Sequence, residues 1–138
     1  MSGKGRIHII DDEPVIQDVL GQFLSSESYE VEISANGAEA LAKHDGGGFD
    51  LVLLDLLMPG MDGLEVLREL RKVDPWVVVV ILTAYASVES AISAMKSGAY
   101  DYIQKQFKHD ELLLTIQRGL DHKRLVEENL RLKDELKR

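Results

Sequence analysis

The sequence contains no cysteine, which excludes disulfides, thiol catalysis and cysteine-ligated zinc. Its four histidines, His8, His44, His109 and His122, fall at no paired ligand spacing, so a zinc site is not expected. No apolar run approaches the ~18 residues of a membrane span, and the opening MSGKGR lacks the apolar segment of a secretory signal. The expectation is a cytoplasmic protein without membrane contact. Positive charge is also short: 16 Lys+Arg stand against 24 Asp+Glu, a net charge of −8. Residues 119–138 carry six Lys/Arg against five Asp/Glu, leaving ten against nineteen for residues 1–118, so the acidity belongs to the first part. Affinity for nucleic acid comes mostly from neutralising phosphates, and this segment is not expected to bind it directly. What remains, 138 residues at 45% hydrophobic and 29% charged, suits one domain with a real core and a short appendage.

Along the chain, short apolar runs alternate with segments of helical period. Ile7, Ile9 and Ile10 predict a first strand, and Val15, Ile16, Val19, Leu20, Phe23 and Leu24 recur as on a helix, with Pro14 tolerable in its first turn. YEVEIS (29–34) alternates as a strand does, and Ala38–Lys43 reads as a short helix closed by Gly46-Gly47-Gly48. Leu51–Leu54 predicts a third strand, Leu64–Lys72 a third helix, and VVVVIL (77–82) a strand buried on both faces. Val88, Ala91, Ile92 and Met95 give a fourth helix that Gly98 ends, Tyr102 and Ile103 a fifth strand, and a long helix starts near Asp110 as N-cap. Five βα units imply an α/β fold: a parallel sheet with helices on both faces. Ligands of such sheets bind at the strand ends, where the strand order reverses.

At those ends the sequence brings Asp11, Asp12 and Glu13 after strand one, Asp55 after strand three, Thr83-Ala84 after strand four and Lys105 after strand five. Carboxylates converging on one crevice repel one another unless a cation or protons join them. Hard oxygen donors in a small, partly open site suit Mg²⁺, and calcium is disfavoured because no D-x-D-x-D-G loop is present. With a hydroxyl from Thr83 and an ammonium from Lys105, the set is equipped for phosphoryl transfer, Asp55 acting as nucleophile and small Ala84 leaving room.

The pair Asp11-Asp12, the run D-L-L-M-P-G-M-D-G from Asp55 to Gly63, Thr83-Ala84 and Lys105 together resemble the receiver domain of two-component response regulators. The resemblance implies a flavodoxin-like (βα)5 fold of strand order 2-1-3-4-5 with an extended C-terminal helix, a receiver over residues 5–119 and a helical linker over 120–138. It further implies that Asp55 is the phosphoacceptor, that Mg²⁺ is held by Asp12, Asp55 and the Leu57 carbonyl with Asp11 acting through water, and that Thr83 and Tyr102 form the switch. The phosphodonor would be a histidine kinase or phosphotransfer protein. Catalysis would extend only to the chain's own phosphorylation and dephosphorylation, so it is not expected to be an enzyme in the ordinary sense. Asp62-Gly63 is read as a turn without chemistry, Met58-Pro59 as loop shaping, and no role falls to the histidines.

One residue departs from the family pattern: Lys105 is followed by Gln106, where receivers commonly have proline with a cis bond. A cis bond before a non-proline residue costs ~2.5–4 kcal/mol, so a trans bond is expected, with a re-routed loop that holds Lys105 less firmly. In the last helix, Leu125, Asn129, Leu132 and Leu136 step by 4, 3 and 4, a heptad seam that suggests a homodimer, and Gly119 suggests a flexible joint before it. The ending ENLRLKDELKR resembles the linker of nitrogen-regulatory-type activators, which join a receiver to an ATPase acting on sigma-54 polymerase; such an output domain would control transcription. Three other functions compete. A haloacid-dehalogenase-type phosphatase needs a second aspartate where Leu57 stands, a flavodoxin-like cofactor binder needs a phosphate cradle where Asp11-Asp12-Glu13 would repel one, and a pure binding module would leave Asp55, Thr83 and Lys105 without purpose.

Overall fold

The apolar runs become five parallel strands: β1 Arg6–Ile10, β2 Glu30–Ser34, β3 Leu51–Leu54, β4 Val79–Thr83 and β5 Asp101–Gln104, in the computed structural model, which describes residues 4–44, 48–84 and 86–137. Their order is β2-β1-β3-β4-β5, as the family resemblance implies. Position in the sheet follows composition. The unbroken apolar stretches of β3 and β4 are wholly buried, whereas β2 is only partly buried and lies at one edge, where Glu30 and Glu32 discourage further pairing.

Five helices alternate with the strands: α1 Pro14–Ser26, α2 Gly37–Lys43, α3 Gly63–Val73, α4 Val88–Lys96 and α5 His109–Leu136. Successive strand residues face opposite sides, so the sheet divides two cores. Ile7, Ile9, Leu51, Leu53, Val80 and Leu82 meet Leu20 and Leu24 of α1 and Leu112, Ile116 and Leu120 of α5. Ile10, Val52, Leu54, Val79 and Ile81 meet Ala40 of α2, Val66, Leu67 and Leu70 of α3 and Ala94 of α4. Each fully buried Leu or Ile side chain contributes about 1.5–3 kcal/mol against conformational entropy.

The helix starts have local causes. Pro14 opens α1, the Asn36 and Asp62 side chains accept the backbone N–H of Glu39 and Glu65 at 2.8 and 3.0 Å, and Ser87 and Ser90 form a reciprocal capping box on α4. Gly98, at φ +103°, follows the end of α4 as expected. Three expectations are corrected. Lys108, without a side-chain cap, occupies the N-cap of α5, and Asp110 sits in the first turn, where its charge favours the helix dipole. Strand β4 begins at Val79 instead of residue 77, because Val77 N–H bonds back to Asp74 in the preceding turn. Gly119 is no joint: α5 runs straight through it, and a Cβ there would lie 2.7 Å from Leu51 Cδ1, so the glycine lets helix and sheet approach closely. Of the loop expected to close α2, Gly46 and Gly47 lie outside the described residues.

His8 and His44 are both buried. His8 Nε2 meets Ser34 Oγ at 2.7 Å, its ring stacks on Phe49 at 4.4 Å, and the Nδ1 atoms of both histidines lack partners. Burial, then the neighbouring His44 and Lys43, push the His8 pKa from 6.5 down to about 4. Because the folded value lies below the unfolded one, this contribution to stability is complete above pH 6.5 and is lost as pH falls through about 4, roughly 3 kcal/mol in all. Urea unfolding between pH 7 and 4 is expected to show that loss in the native protein, and His8→Phe is expected to lack it.

Candidate functional site

The strand ladder sets the positions at the carboxyl edge. Asp55 N–H bonds to the Ile10 carbonyl at 3.0 Å, carrying the residue after β3 to the end of β1, and Lys105 N–H bonds to the Thr83 carbonyl at 2.9 Å, carrying the residue after β5 to the end of β4. The strand order reverses between β1 and β3, so the carboxylates stand at the switch point of the sheet. Oxygens of Asp11, Asp12 and Asp55 all lie within 4.8 Å of one another, the one cluster of this kind among the described residues. Asp11 and Asp55 are buried and Asp12 partly so.

Each carboxylate is oriented. Asp11 Oδ1 accepts Glu13 N–H at 2.9 Å, and Gln17 Nε2 donates to the Asp11 carbonyl at 2.7 Å. Asp55 Oδ1 accepts Leu57 N–H at 3.2 Å, and Asp55 Oδ2 accepts Lys105 Nζ at 3.0 Å. Lys105 also pairs with Asp11 at 2.9 Å and Glu13 at 2.5 Å, its own side chain 7% exposed. Burial draws its pKa down, but bonds to Glu13, Asp11 and Asp55 outweigh that and hold it above the ordinary lysine value. Burial pushes Asp11 up from the usual carboxylate range, against the opposing Glu13 N–H and Lys105. The ammonium thus serves as counterion to a group that stays net negative, a donor set of hard oxygens that fits a small divalent cation.

Thr83 is buried at the end of β4. Tyr102 lies opposite Ile81, and Ile81 and Thr83 share a face of their strand, so Thr83 and Tyr102 stand on one side of the sheet as diagonal neighbours. Leu57 is half exposed on the loop after Asp55. A cleft of about 530 Å³, bounded by Asp12, Asn36, Gly37, Pro59 and Met61, abuts the cluster. No peptide bond among the described residues is cis, Lys105–Gln106 included, yet Lys105 is not loosely held: three carboxylates and the Thr83 carbonyl fix it. Three contributors carry little signal in the sequence. Glu13 stands there as one more acidic residue beside Asp11 and Asp12. Ser90 meets the Tyr102 hydroxyl at 2.5 Å and is signalled only by the S-x-x-S spacing of 87–90. Gly63 packs on the backbone of Asp55 and Leu56.

Lys105→Met removes a cation that competes for the same oxygens. Mg²⁺ is expected to bind on the order of tenfold more tightly to that variant, measured by calorimetric titration; weaker binding would contradict the counterion role.

The family model "Response regulator receiver domain" matches residues 7–117. An uncharacterised transcriptional regulatory protein of Bacillus subtilis (strain 168), YkoG, is 45% identical over 117 residues, covering 85% of this chain and 51% of the relative. The transcriptional regulatory protein ZraR of Klebsiella oxytoca is 42% identical over 128 residues, 92% of this chain and 29% of its own. The chain therefore spans about half the length of the first of these relatives and under a third of the second. Among solved structures, a CheY-like receiver domain protein of Methanospirillum hungatei JF-1 superposes with a TM-score of 0.82 at 39% identity, covering 86% of this chain and 95% of that one. NtrX of Brucella abortus, solved in complex with ATP, superposes at 0.87 and 36% identity, covering 96% of this chain and 30% of that one.

Proposed function

The chain belongs to the response regulator receiver family, and from that premise we propose that Asp55 accepts a phosphoryl group from a histidine kinase or phosphotransfer protein. A carboxylate oxygen of Asp55 attacks phosphorus as the donor's P–N bond breaks. The electron pair leaves with the imidazole, which ends neutral after proton balance with solvent, and Asp55 becomes an acyl phosphate. Asp11, Asp12, Asp55 and the Leu57 carbonyl would hold Mg²⁺, which when bound supplies neutralisation of the transferring oxygens. Lys105 offsets charge on the phosphoryl group, and Thr83 donates a hydrogen bond to it. Catalysis is confined to the chain's own phosphorylation and dephosphorylation. The observation that carries this reading is the gathering of Asp11, Asp12 and Asp55 within 4.8 Å, with Lys105 on Asp55.

Phosphorylation adds about −1.5 to −2 charges at Asp55. Thr83 turns toward it, Tyr102 moves into the space vacated, and the face built from α4, β5 and α5 changes shape. We assign the receiver to residues 5–119 and the linker to 120–138, leading to an output domain, of the sigma-54 ATPase kind, that controls transcription in the cytoplasm. A homodimer through α5 is supported by exposed Leu125, Leu132 and Leu136. Charges beside that row pair within the helix, Arg124 with Asp121 and Arg131 with Glu135, leaving the leucines free for a second helix. No helix among the described residues is long and apolar enough to cross a membrane.

The test is acetyl phosphate treatment with and without Mg²⁺, followed by peptide mapping and size-exclusion chromatography. Mg²⁺-dependent modification at Asp55 supports the proposal. Absence of modification with the fold intact favours a binding module without phosphotransfer.

A further inference from the structure

We propose that Ser90 is a positioning residue of the switch: its hydroxyl holds the Tyr102 phenol against the first turn of α4 in the unphosphorylated protein. This rests on the Thr83–Tyr102 reading above. Ser90 Oγ lies 2.5 Å from Tyr102 Oη, across twelve residues of sequence. The same oxygen belongs to the α4 cap: Ser87 N–H approaches it at 3.2 Å, Ser87 Oγ lies 3.0 Å away, and it reaches the Ser87 carbonyl at 3.2 Å, while Ser90 N–H bonds to Ser87 Oγ at 3.0 Å.

A hydroxyl has one hydrogen and two lone pairs. If Ser90 donates to the Ser87 carbonyl and accepts Ser87 N–H, one lone pair remains for a single further donor. Tyr102 and the Ser87 hydroxyl compete for it. The shorter contact and the more acidic phenol favour Tyr102, so the tyrosine donates and its one proton is committed to α4. When Tyr102 moves toward the space beside Thr83, that bond breaks and the vacant lone pair passes to the Ser87 hydroxyl. The cap of α4 therefore stays satisfied in both positions, and the two arrangements exchange the 2.5 Å bond from Tyr102 for the 3.0 Å one from Ser87. Replacing the short bond by the longer one shifts such an equilibrium by up to the worth of one hydrogen bond, roughly fivefold.

Three variants separate this latch from ordinary capping. Tyr102→Phe loses the hydroxyl contact and keeps the cap, Ser90→Ala loses both, and Ser90→Thr keeps both. The readout is the amide NMR shifts of residues 88–96, scaled between native protein in Mg²⁺ alone and native protein loaded with beryllofluoride as phosphoryl mimic. In Mg²⁺ alone, Ser90→Ala and Tyr102→Phe are expected to raise the loaded-like population about fivefold. Ser90→Thr is expected to stay at the native position on that scale. The latch is overturned if Tyr102→Phe leaves the native positions unchanged, whether or not Ser90→Ala moves them, because movement by Ser90→Ala alone reports only the cap. Should Ser90→Ala fail to fold, Tyr102→Phe against Ser90→Thr carries the same decision. If beryllofluoride leaves α4 of the native protein unmoved, the switch itself falls and the latch with it; a responsive native protein with silent variants removes the latch alone.

Discussion

Asp55→Asn is expected to reduce labelling by acetyl phosphate and Mg²⁺ to background, a loss on the order of a thousandfold or more, because an amide oxygen is a poor nucleophile and no general base is offered to improve it. The fold is expected to tolerate the change. An Asn oxygen can still accept Leu57 N–H, now held by Asp55 Oδ1, and Lys105 retains Asp11 and Glu13 as partners. Removing one of several like charges relieves repulsion in the metal-free cluster, so the melting temperature should not fall. Mg²⁺ affinity is expected to drop about tenfold with the loss of a charged ligand. Mass spectrometry of intact protein and peptides makes the decision, and phosphoryl transfer of undiminished rate onto Asp11 or Asp12 in this variant would contradict the assignment of Asp55.

The second large effect is expected from Gly63→Ala. Gly63 opens α3, and its N–H bonds to the Leu56 carbonyl at 2.9 Å. A Cβ at this position would fall against Leu56 Cα and 2.5 Å from the Asp55 carbonyl oxygen. These are backbone atoms and cannot swing aside as a side-chain tip can, so either α3 retreats or the Asp55–Leu56 segment moves. Overpacking of this kind costs about 1–3 kcal/mol, partly offset by the better helix propensity of alanine. We expect about 2 kcal/mol of lost stability by urea titration, and slower labelling of Asp55 because its backbone is displaced. Gly21→Ala is the internal contrast: its Cβ would meet only Ile33 Cδ1 at 3.4 Å, an ordinary contact, so that variant should gain up to about 1 kcal/mol. Equal responses at the two positions would argue against the close approach at Gly63.

The order of elements could be read from the chain because each carries a local signal: unbroken Leu/Val runs for the interior strands, alternation in YEVEIS for the edge, and glycine after α4. The sequence order of Asp11, Asp12, Asp55, Thr83 and Lys105 marks them as strand-end residues, and a parallel sheet gathers such ends along one edge. What could not be read arises from contacts between elements. Nothing near Gly63 in sequence says that Asp55 and Leu56 backbone will press on it, and Gly119 looked like a joint because the approach of Leu51 is a long-range fact. The firmness of Lys105 has the same origin: its following peptide bond is local and legible, whereas Glu13, 92 residues away, anchors its ammonium. His8 lay in plain view within an apolar strand, but its depressed basicity comes from burial and from His44 and Lys43 on another element.

The uninterrupted α5 has a mechanical consequence. Its last buried residue is Lys123, and the helix continues to Leu136, a projection of about 20 Å at 1.5 Å per residue. With the near half clamped against the sheet by Leu112, Ile116 and Leu120, the far half acts as the arm of a lever. A ten-degree tilt at the clamp would sweep the tip through roughly 3 Å, more than half the 5.4 Å helical pitch. Sub-ångström adjustments beside β5 are thereby magnified into a displacement large enough to re-seat whatever grips the distal end.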